Sequence, residues 1–465
     1  MNSYLARFLK RLHFKETVKL ASPSVLSIPL TLVSVPLCLS YLGTASYGIL
    51  LILFLLQNQS HIFLFGTEKN LIRSIVQKQA TADNLLASML IAFVYGGCLV
   101  TVAIILVMIF DMFDYLALST TNFSLLLAGI PVHLLWTVQR SILQADEKFS
   151  TLGLVSFCYM SAVQYMPLLV ILVAPESASI TSFLCGVLAA RLTVTALLFF
   201  PFWCQVKNLS SQQAEFFLQL FHYGKWMGVN QTIQIIFDGA DRYLLGLFST
   251  PSAIALYAIP LQMTQKLALI PVAMAQVVFN QSVTSEKIQS DTYLKDLVAI
   301  APFCAMVFLC VCQPLFELWL GQHFDNKILT LAALLFIAVT FTSLNFITAS
   351  ILESSGRARQ IARYDLTAMI PLLIVMAVLT YQFGVTGTAT AFILKEGTFF
   401  VLRLLVLKPL KSLFIKITLS LCCIVISVSL SLMVSFSAGS VLVIQAVTAT
   451  FWIACLFLFK RITPS

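Results

Sequence analysis

Fourteen stretches of this sequence stay apolar for about twenty residues at a time, and that feature excludes most folds. They lie near 21–41, 47–66, 86–110, 120–139, 152–174, 179–203, 226–248, 253–279, 297–319, 329–352, 366–383, 385–407, 412–435 and 439–459. A run of this length crosses the hydrocarbon of a bilayer as a helix, in which every backbone amide bonds within its own segment. The composition agrees, with 59% of residues hydrophobic and 10% charged, against roughly 25% charged in soluble domains. Strands of a membrane barrel would alternate apolar and polar residues, which these runs do not. The expected fold is an all-α membrane bundle of about fourteen transmembrane helices, or twelve if the final pair is not counted.

The basic residues test this division. With the N-terminus in the cytoplasm, 23 of the 28 Lys and Arg fall in cytoplasmic segments or helix ends, among them Arg403 and its neighbours to 416. Lys327 alone falls on the opposite side, and Arg191, Arg242, Lys266 and Lys395 lie inside predicted spans. Such asymmetry orients a multi-pass protein, here with both termini cytoplasmic. It also explains the net charge of +9 without nucleic acid. The loops are short on both sides and hold no phosphate-binding glycine loop, so the bundle is expected to work without ATP. The eleven cysteines show no zinc-site spacing, and no metal or other cofactor is expected. Residues 1–20 are basic and amphipathic, as an interfacial helix would be.

The two halves echo one another. "SILQADEK" (141–148) and "SILESSGR" (350–357) end the fourth and tenth runs at an offset of 209. "LGTAS" and "FSTPS" follow the first and seventh runs, offset by 206 at their shared threonine, and Arg191 and Lys395 are offset by 204. A parallel six-plus-six repeat follows, with lobes at 21–205 and 206–408 and two appended helices over 409–465. Transporters with such repeats bind substrate between the halves.

Several segments resemble bacterial polysaccharide flippases. "LFHYGKWMGVNQTIQIIFDGADRYLLGLFSTPSAIALYAIPLQM" (220–263) is similar to the opening of their second half, and "YLGTASYGILLILFLLQNQSHIFLFGTEKNLIR" (41–73) to the matching part of the first. "QPLFELWLGQHF", "SSGRARQIARYDL" and "FGVTGTATAFIL" resemble the ends of spans 9 and 10 and the start of span 12. The family is the oligosaccharide flippases (Wzx-type O-antigen transporters) of the multidrug/oligosaccharidyl-lipid/polysaccharide exporter superfamily. The resemblance implies a MATE-like fold, two pseudo-symmetric lobes around a central cavity. It also implies movement of an undecaprenyl-pyrophosphate-linked oligosaccharide across the bacterial inner membrane. Membrane lipids, a polysaccharide polymerase and chain-length proteins are the partners it suggests.

A charge at mid-bilayer costs about 2.5–3.5 kcal/mol on insertion scales, so such groups face a cavity or a partner. In span 7, Asn230, Gln231, Gln234, Asp238, Asp241 and Arg242 recur every three or four residues along one helix face. Asp238 and Arg242 stand in the favourable i,i+4 order, so Arg242 is either paired with Asp238 or offered to an anion. Arg191, Lys266 and Lys395 are further midplane cations for a pyrophosphate. Lys395 has Glu396 beside it, but adjacent helical residues point about 100° apart, so one of the two is expected to face elsewhere. Asp238, Asp241 and Glu396 are candidates for ion coupling. Gln57, Asn58 and His61 of span 2 offer neutral polar groups to sugar hydroxyls. The competing readings are a drug or metabolite exporter on the same scaffold, a lipid II flippase, and a membrane oligosaccharide polymerase.

Overall fold

The computed structural model describes residues 14–64, 67–77, 82–109, 120–203, 211–284, 290–407, 411–433, 445 and 447–448. Their regular structure is helical throughout. Helices α1 (Phe14–Val25) and α2 (Ser27–Gln59) lead into a 3₁₀ turn over Ser60–Leu64, followed by α3 (Thr67–Val76) and α4 (Ala82–Ile109). Then come α5 (Thr120–Ala145), α6 (Phe149–Met160), α7 (Ala162–Val173), α8 (Ile180–Trp203) and α9 (Ser211–Phe248). The remainder is α10 (Pro251–Lys266), α11 (Leu269–Thr284), α12 (Ser290–Leu320), α13 (Asn326–Ser354), α14 (Ala358–Leu407) and α15 (Lys411–Met433). Residues 1–13 of the basic N-terminal segment and nearly all of the last expected span, 439–459, lie outside the described residues.

Five of these segments are long and apolar enough to cross a membrane, and two bent pairs pass the same test together. The pairs are α6–α7, bent by 51°, and α10–α11, bent by 55°. Two of the long helices are themselves interrupted. The 50 residues of α14 would extend about 75 Å as one rod, more than twice the ~30 Å of hydrocarbon. The chain turns back instead at Gly384, whose φ of 56° and ψ of −131° suit glycine. The turn is tight: a Cβ on Gly387 would lie 1.9 Å from the Leu379 carbonyl oxygen, and Thr388 donates to the Thr380 hydroxyl at 3.2 Å. Gly43, with φ 75° and ψ 165°, interrupts α2 in the same manner. Both breaks fall where the apolar pattern separates span 1 from 2 and span 11 from 12.

The chain divides into two compact units, and the division falls between Tyr243 and Leu244, inside α9. The first unit is built around α5, against which α2, α3, α4, α6 and α8 pack. Leu134, Val138 and Ile142 of α5 meet Leu64, Leu71, Met89 and Ala92 on one side. Val132 and Trp136 meet Tyr159 on another. The second unit is built around α13, which packs against α10, α11, α12, α14 and α15. Its core joins Leu344, Ile347 and Ile351 to Met274, Val278, Phe400, Leu404 and Ile417. In lipid the gain from such contacts is close fit and dispersion, since the tails outside are equally apolar.

The central helices α5 and α13 end in the same turn. After α5, the amides of Asp146, Glu147 and Lys148 donate to the carbonyls of Ile142, Gln144 and Leu143 at 3.0, 3.1 and 3.2 Å. After α13, the amides of Ser355, Gly356 and Arg357 donate to Ile351, Glu353 and Leu352 at 3.1, 3.1 and 2.9 Å. Every donor and every acceptor is displaced by the offset of 209 found in the sequence. Each turn closes through a left-handed residue, Glu147 at φ 56° and Gly356 at φ 79°. The second span of each half is also broken, after Gln59 in α2 and after Lys266 in α10.

Candidate functional site

In the first unit the polar cluster is organised by three side chains at the end of α2. Gln57 reaches α5 through a notch at Gly129, where a Cβ would sit 1.4 Å from the Gln57 amide nitrogen. Its Oε1 accepts from Nη1 of Arg191 at 2.5 Å, and the Asn58 Oδ1 accepts from Nη2 at 2.8 Å. Gln59 enters a second notch, at Gly239 of α9. There its amide donates to the Ile235 carbonyl at 3.1 Å and its Oε1 accepts from the Tyr243 hydroxyl at 2.7 Å. The run "QNQ" therefore ties α2 to α8 and α9 and seats it against α5. Gln57 and Asn58, expected to meet sugar hydroxyls, hold Arg191 instead.

Arg191 is 1% exposed. Its guanidinium lies 4.9 Å from the centroid of Tyr159, and that ring stacks on Trp136 at 4.4 Å. Among the described residues its Nε has no hydrogen-bond partner, and no carboxylate reaches ion-pair distance of it. Two histidines adjoin this group. The Tyr159 hydroxyl is 3.1 Å from Nδ1 of the buried His133. His61, in the turn after α2, has Nδ1 2.7 Å from the Asn58 carbonyl and its ring centroid 5.8 Å from that of His133. His133 was not among the residues singled out by sequence; a polar group in mid-span is the signal that marks it.

On α9 the expected polar face is divided. Asn230 and Asp241 are buried, Gln234 is half-buried and Asp238 is exposed. The Gln231 side chain lies outside the described residues. Arg242 pairs with the Asp241 carboxylate, Nε to Oδ1 at 3.4 Å, and its main-chain amide donates to the same oxygen at 2.8 Å. It also donates to the main-chain carbonyl of Asp238. The sequence offered Asp238 as the partner; the carboxylate that holds Arg242 is its immediate neighbour.

The second unit holds two buried ion pairs. Lys395 and Glu396, expected to diverge, form an ion pair at 2.9 Å with side chains 1% and 7% exposed. Their Cα–Cβ vectors do diverge, but a four-carbon stem reaches around the helix. The Lys395 ammonium also lies 4.2 Å over the Phe392 ring. Asn345 of α13 donates to Glu396 Oε2 at 2.8 Å and accepts from Arg403 through its main-chain carbonyl at 3.2 Å. Arg403 in turn pairs with the buried Asp365 at 3.3 Å. Counted above with the cytoplasmic loop, Arg403 is buried inside the unit. Sequence reasoning passed over Asn345 and Asp365 as well. Lys266 ends α10 at its break and is half-buried; a cation suits that helix terminus. Of the four midplane cations, Arg191 and Lys395 are enclosed, whereas Arg242 and Lys266 retain exposed surface.

Helices broken at mid-span around polar groups, in two units whose central helices end in the same turn, describe a MATE-like fold. Solved structures confirm the fold. The chain aligns with the lipid II flippase MurJ at a TM-score of 0.66 and 14% identity, covering 95% of this chain and 98% of MurJ. It aligns with a eukaryotic MATE transporter at 0.65 and 13%, over 90% and 99% of the two chains. The Vibrio cholerae MATE transporter VcmN gives 0.63 and 14%, over 88% and 99%. By sequence the chain is 22% identical over 391 residues to a Shigella flexneri protein provisionally named an O-antigen transporter, covering 79% of this chain and 90% of that one. No family profile matches the sequence.

Proposed function

We propose that this protein is a flippase that carries an undecaprenyl-pyrophosphate-linked oligosaccharide from the inner to the outer leaflet of a bacterial inner membrane by alternating access. The observation that carries the reading is the likeness to the Shigella flexneri protein along 90% of its length. The flippase MurJ has the same fold. The relatives are transporters, and the chain is read as a transporter and not an enzyme. Both termini are assigned to the cytoplasm by the Lys/Arg distribution. Arg242 is the cation assigned to the pyrophosphate, because Arg191 and Lys395 are already enclosed. A polysaccharide polymerase and chain-length proteins would act on the delivered unit.

Deleting the protein from its host should abolish surface polysaccharide while the lipid-linked unit accumulates in the membrane. Normal surface glycan in the deletion strain would sink the proposal. Replacing Arg242 by Gln should lower export while the protein still inserts. The alternative is an ion-coupled exporter of small molecules, since the MATE transporters share the fold. It predicts altered drug tolerance with surface glycan unchanged.

A further inference from the structure

We infer that the inner end of the second unit carries a binding site for an anionic phospholipid. It is formed by Arg359 and Arg363 and continued by Leu366, Ile370 and Ile374 on the same face of α14. The inference goes beyond the flippase reading and does not depend on what the protein carries; it takes the inner side from the Lys/Arg distribution.

The five residues follow one another at steps of four, three, four and four, which keeps them in a narrow stripe along one helix face. All five are exposed, Ile370 to 63% and Ile374 to 58%. The opposite face of the same segment is buried through Ile361, Asp365 and Leu372. The stripe changes character once: it is cationic at Arg359 and Arg363 and aliphatic from Leu366 onward. From Arg363 to Ile374 the helix rises about 16 Å, close to the ~15 Å of hydrocarbon in one leaflet. That is the layout of a phospholipid, with its phosphate held by two guanidiniums and its acyl chains along the apolar stretch. Tyr364, exposed beside Arg363, suits the boundary between the two zones.

The repeated turn shows that these arginines are not needed to fold the helix end. At the offset of 209, Arg359 and Arg363 correspond to Ser150 and to the exposed Leu154. The first unit nonetheless closes the same turn with the same three main-chain bonds. The exposed charges differ accordingly. Asp146, Glu147 and Lys148 leave the first turn acidic, with Lys148 held by Asp146 at 2.9 Å. Arg357, Arg359 and Arg363 leave the second turn basic, because its acids, Glu353 and Asp365, are buried. Asp365 is already taken by Arg403. Charge therefore selects an anion at one turn and not at the other, and mass action fills such a site from the phospholipid of the surrounding leaflet. Beneath the arginines, Ile361 packs with Leu352 and Val406, and Arg357 donates to the Val406 carbonyl at 3.2 Å. A bound headgroup braces the inner end of α13 together with both ends of α14.

Hydrogen exchange of the full-length protein in nanodiscs tests the site. Residues 355–366 should exchange more slowly in discs containing phosphatidylglycerol than in phosphatidylcholine alone. Residues 146–157, around the equivalent turn, should exchange alike in both. Each arginine near an anionic surface strengthens binding about fivefold, so Arg359→Gln/Arg363→Gln should weaken it about twenty-five-fold and remove the difference. Arg359→Lys/Arg363→Lys keeps the charge and should retain the difference. Equal exchange in the two lipids would overturn the inference, as would a change shared by both turns, or one that survives in Arg359→Gln/Arg363→Gln. Slowing by undecaprenyl pyrophosphate added to phosphatidylcholine discs, without slowing by phosphatidylglycerol, would overturn the phospholipid assignment in favour of a cargo lipid. If Arg359→Gln/Arg363→Gln does not insert, the comparison of lipids and turns in the native protein still decides. None of these readouts requires the lipid-linked sugar, so failure here leaves the flippase reading standing, and the deletion experiment tests that reading alone.

Discussion

Adding one methyl group at Gly129 should weaken the first unit, although the position is a glycine inside a helix. Ordinarily Gly→Ala in a helix stabilises by about 0.5–1 kcal/mol. At Gly129 the new Cβ would lie 1.4 Å from the Gln57 amide nitrogen and 2.5 Å from its amide carbon. The far end of a glutamine can swing aside, so the backbone need not move. What it forfeits is the charge-assisted bond to Arg191 at 2.5 Å, and bonds to charged groups contribute about 1.5–3 kcal/mol. Subtracting the helical gain leaves Gly129→Ala destabilising by about 1–2 kcal/mol. Gly97 in α4 is the control, because nothing lies within 4 Å of a Cβ placed there; Gly97→Ala should be neutral or stabilising. Unfolding of the purified protein by SDS in mixed micelles measures both. In an Arg191→Gln background the penalty at Gly129 should vanish, since the bond it breaks is already gone. Equal tolerance at Gly97 and Gly129, or a penalty unchanged in Arg191→Gln, would refute the role given to the Gln57–Arg191 bond.

Lys395→Met should cost about 3–5 kcal/mol, because Glu396 is left buried and uncompensated, and Lys395→Met/Glu396→Gln should recover most of it in the same unfolding assay. Arg191→Lys should also destabilise, by about 1.5–3 kcal/mol, since an ammonium lacks the planar fork that meets both amide oxygens and the Tyr159 face. The repeated turns predict opposite responses at equivalent positions: Glu147→Gly should stabilise and Gly356→Ala destabilise, each by about 1 kcal/mol, as left-handed φ favours glycine. Equal effects of one sign at the two sites would count against the equivalence.

Much of this architecture was legible in the sequence for definite reasons. Apolar runs divide at Gly43 and Gly384 because only a flexible residue lets a span turn back on itself at once. The offset of 209 was visible because a turn that must close three main-chain bonds restricts its residues. The polar contacts were less legible. Whether Gln57 faces a cavity or a guanidinium 134 residues away cannot be read from helical periodicity, since lipid-facing and core-facing positions are equally apolar. The Lys395–Glu396 pair escaped because directions were assigned at Cβ, while the charges sit at the ends of long flexible stems. Arg403 looked like a loop residue because span ends read from hydropathy are uncertain by a turn, enough to hide its bond to Asp365. Span 7 misled in a smaller way: the i,i+4 rule favoured Asp238, and the adjacent Asp241 takes the guanidinium.

The different charge bookkeeping of the two halves has an electrical meaning. Lys395 with Glu396, and Arg403 with Asp365, are neutral as pairs, so the membrane voltage exerts little net force on them. Arg191 has no such counterweight among the described residues. Carrying a whole charge through the full potential changes the energy by about 2.3 kcal/mol per 100 mV, so any step that shifts α8 along the membrane normal acquires a share of that voltage dependence. In an energised cell a step that moves α8 would respond to the field across the membrane, and the paired charges of α14 would add little to that response.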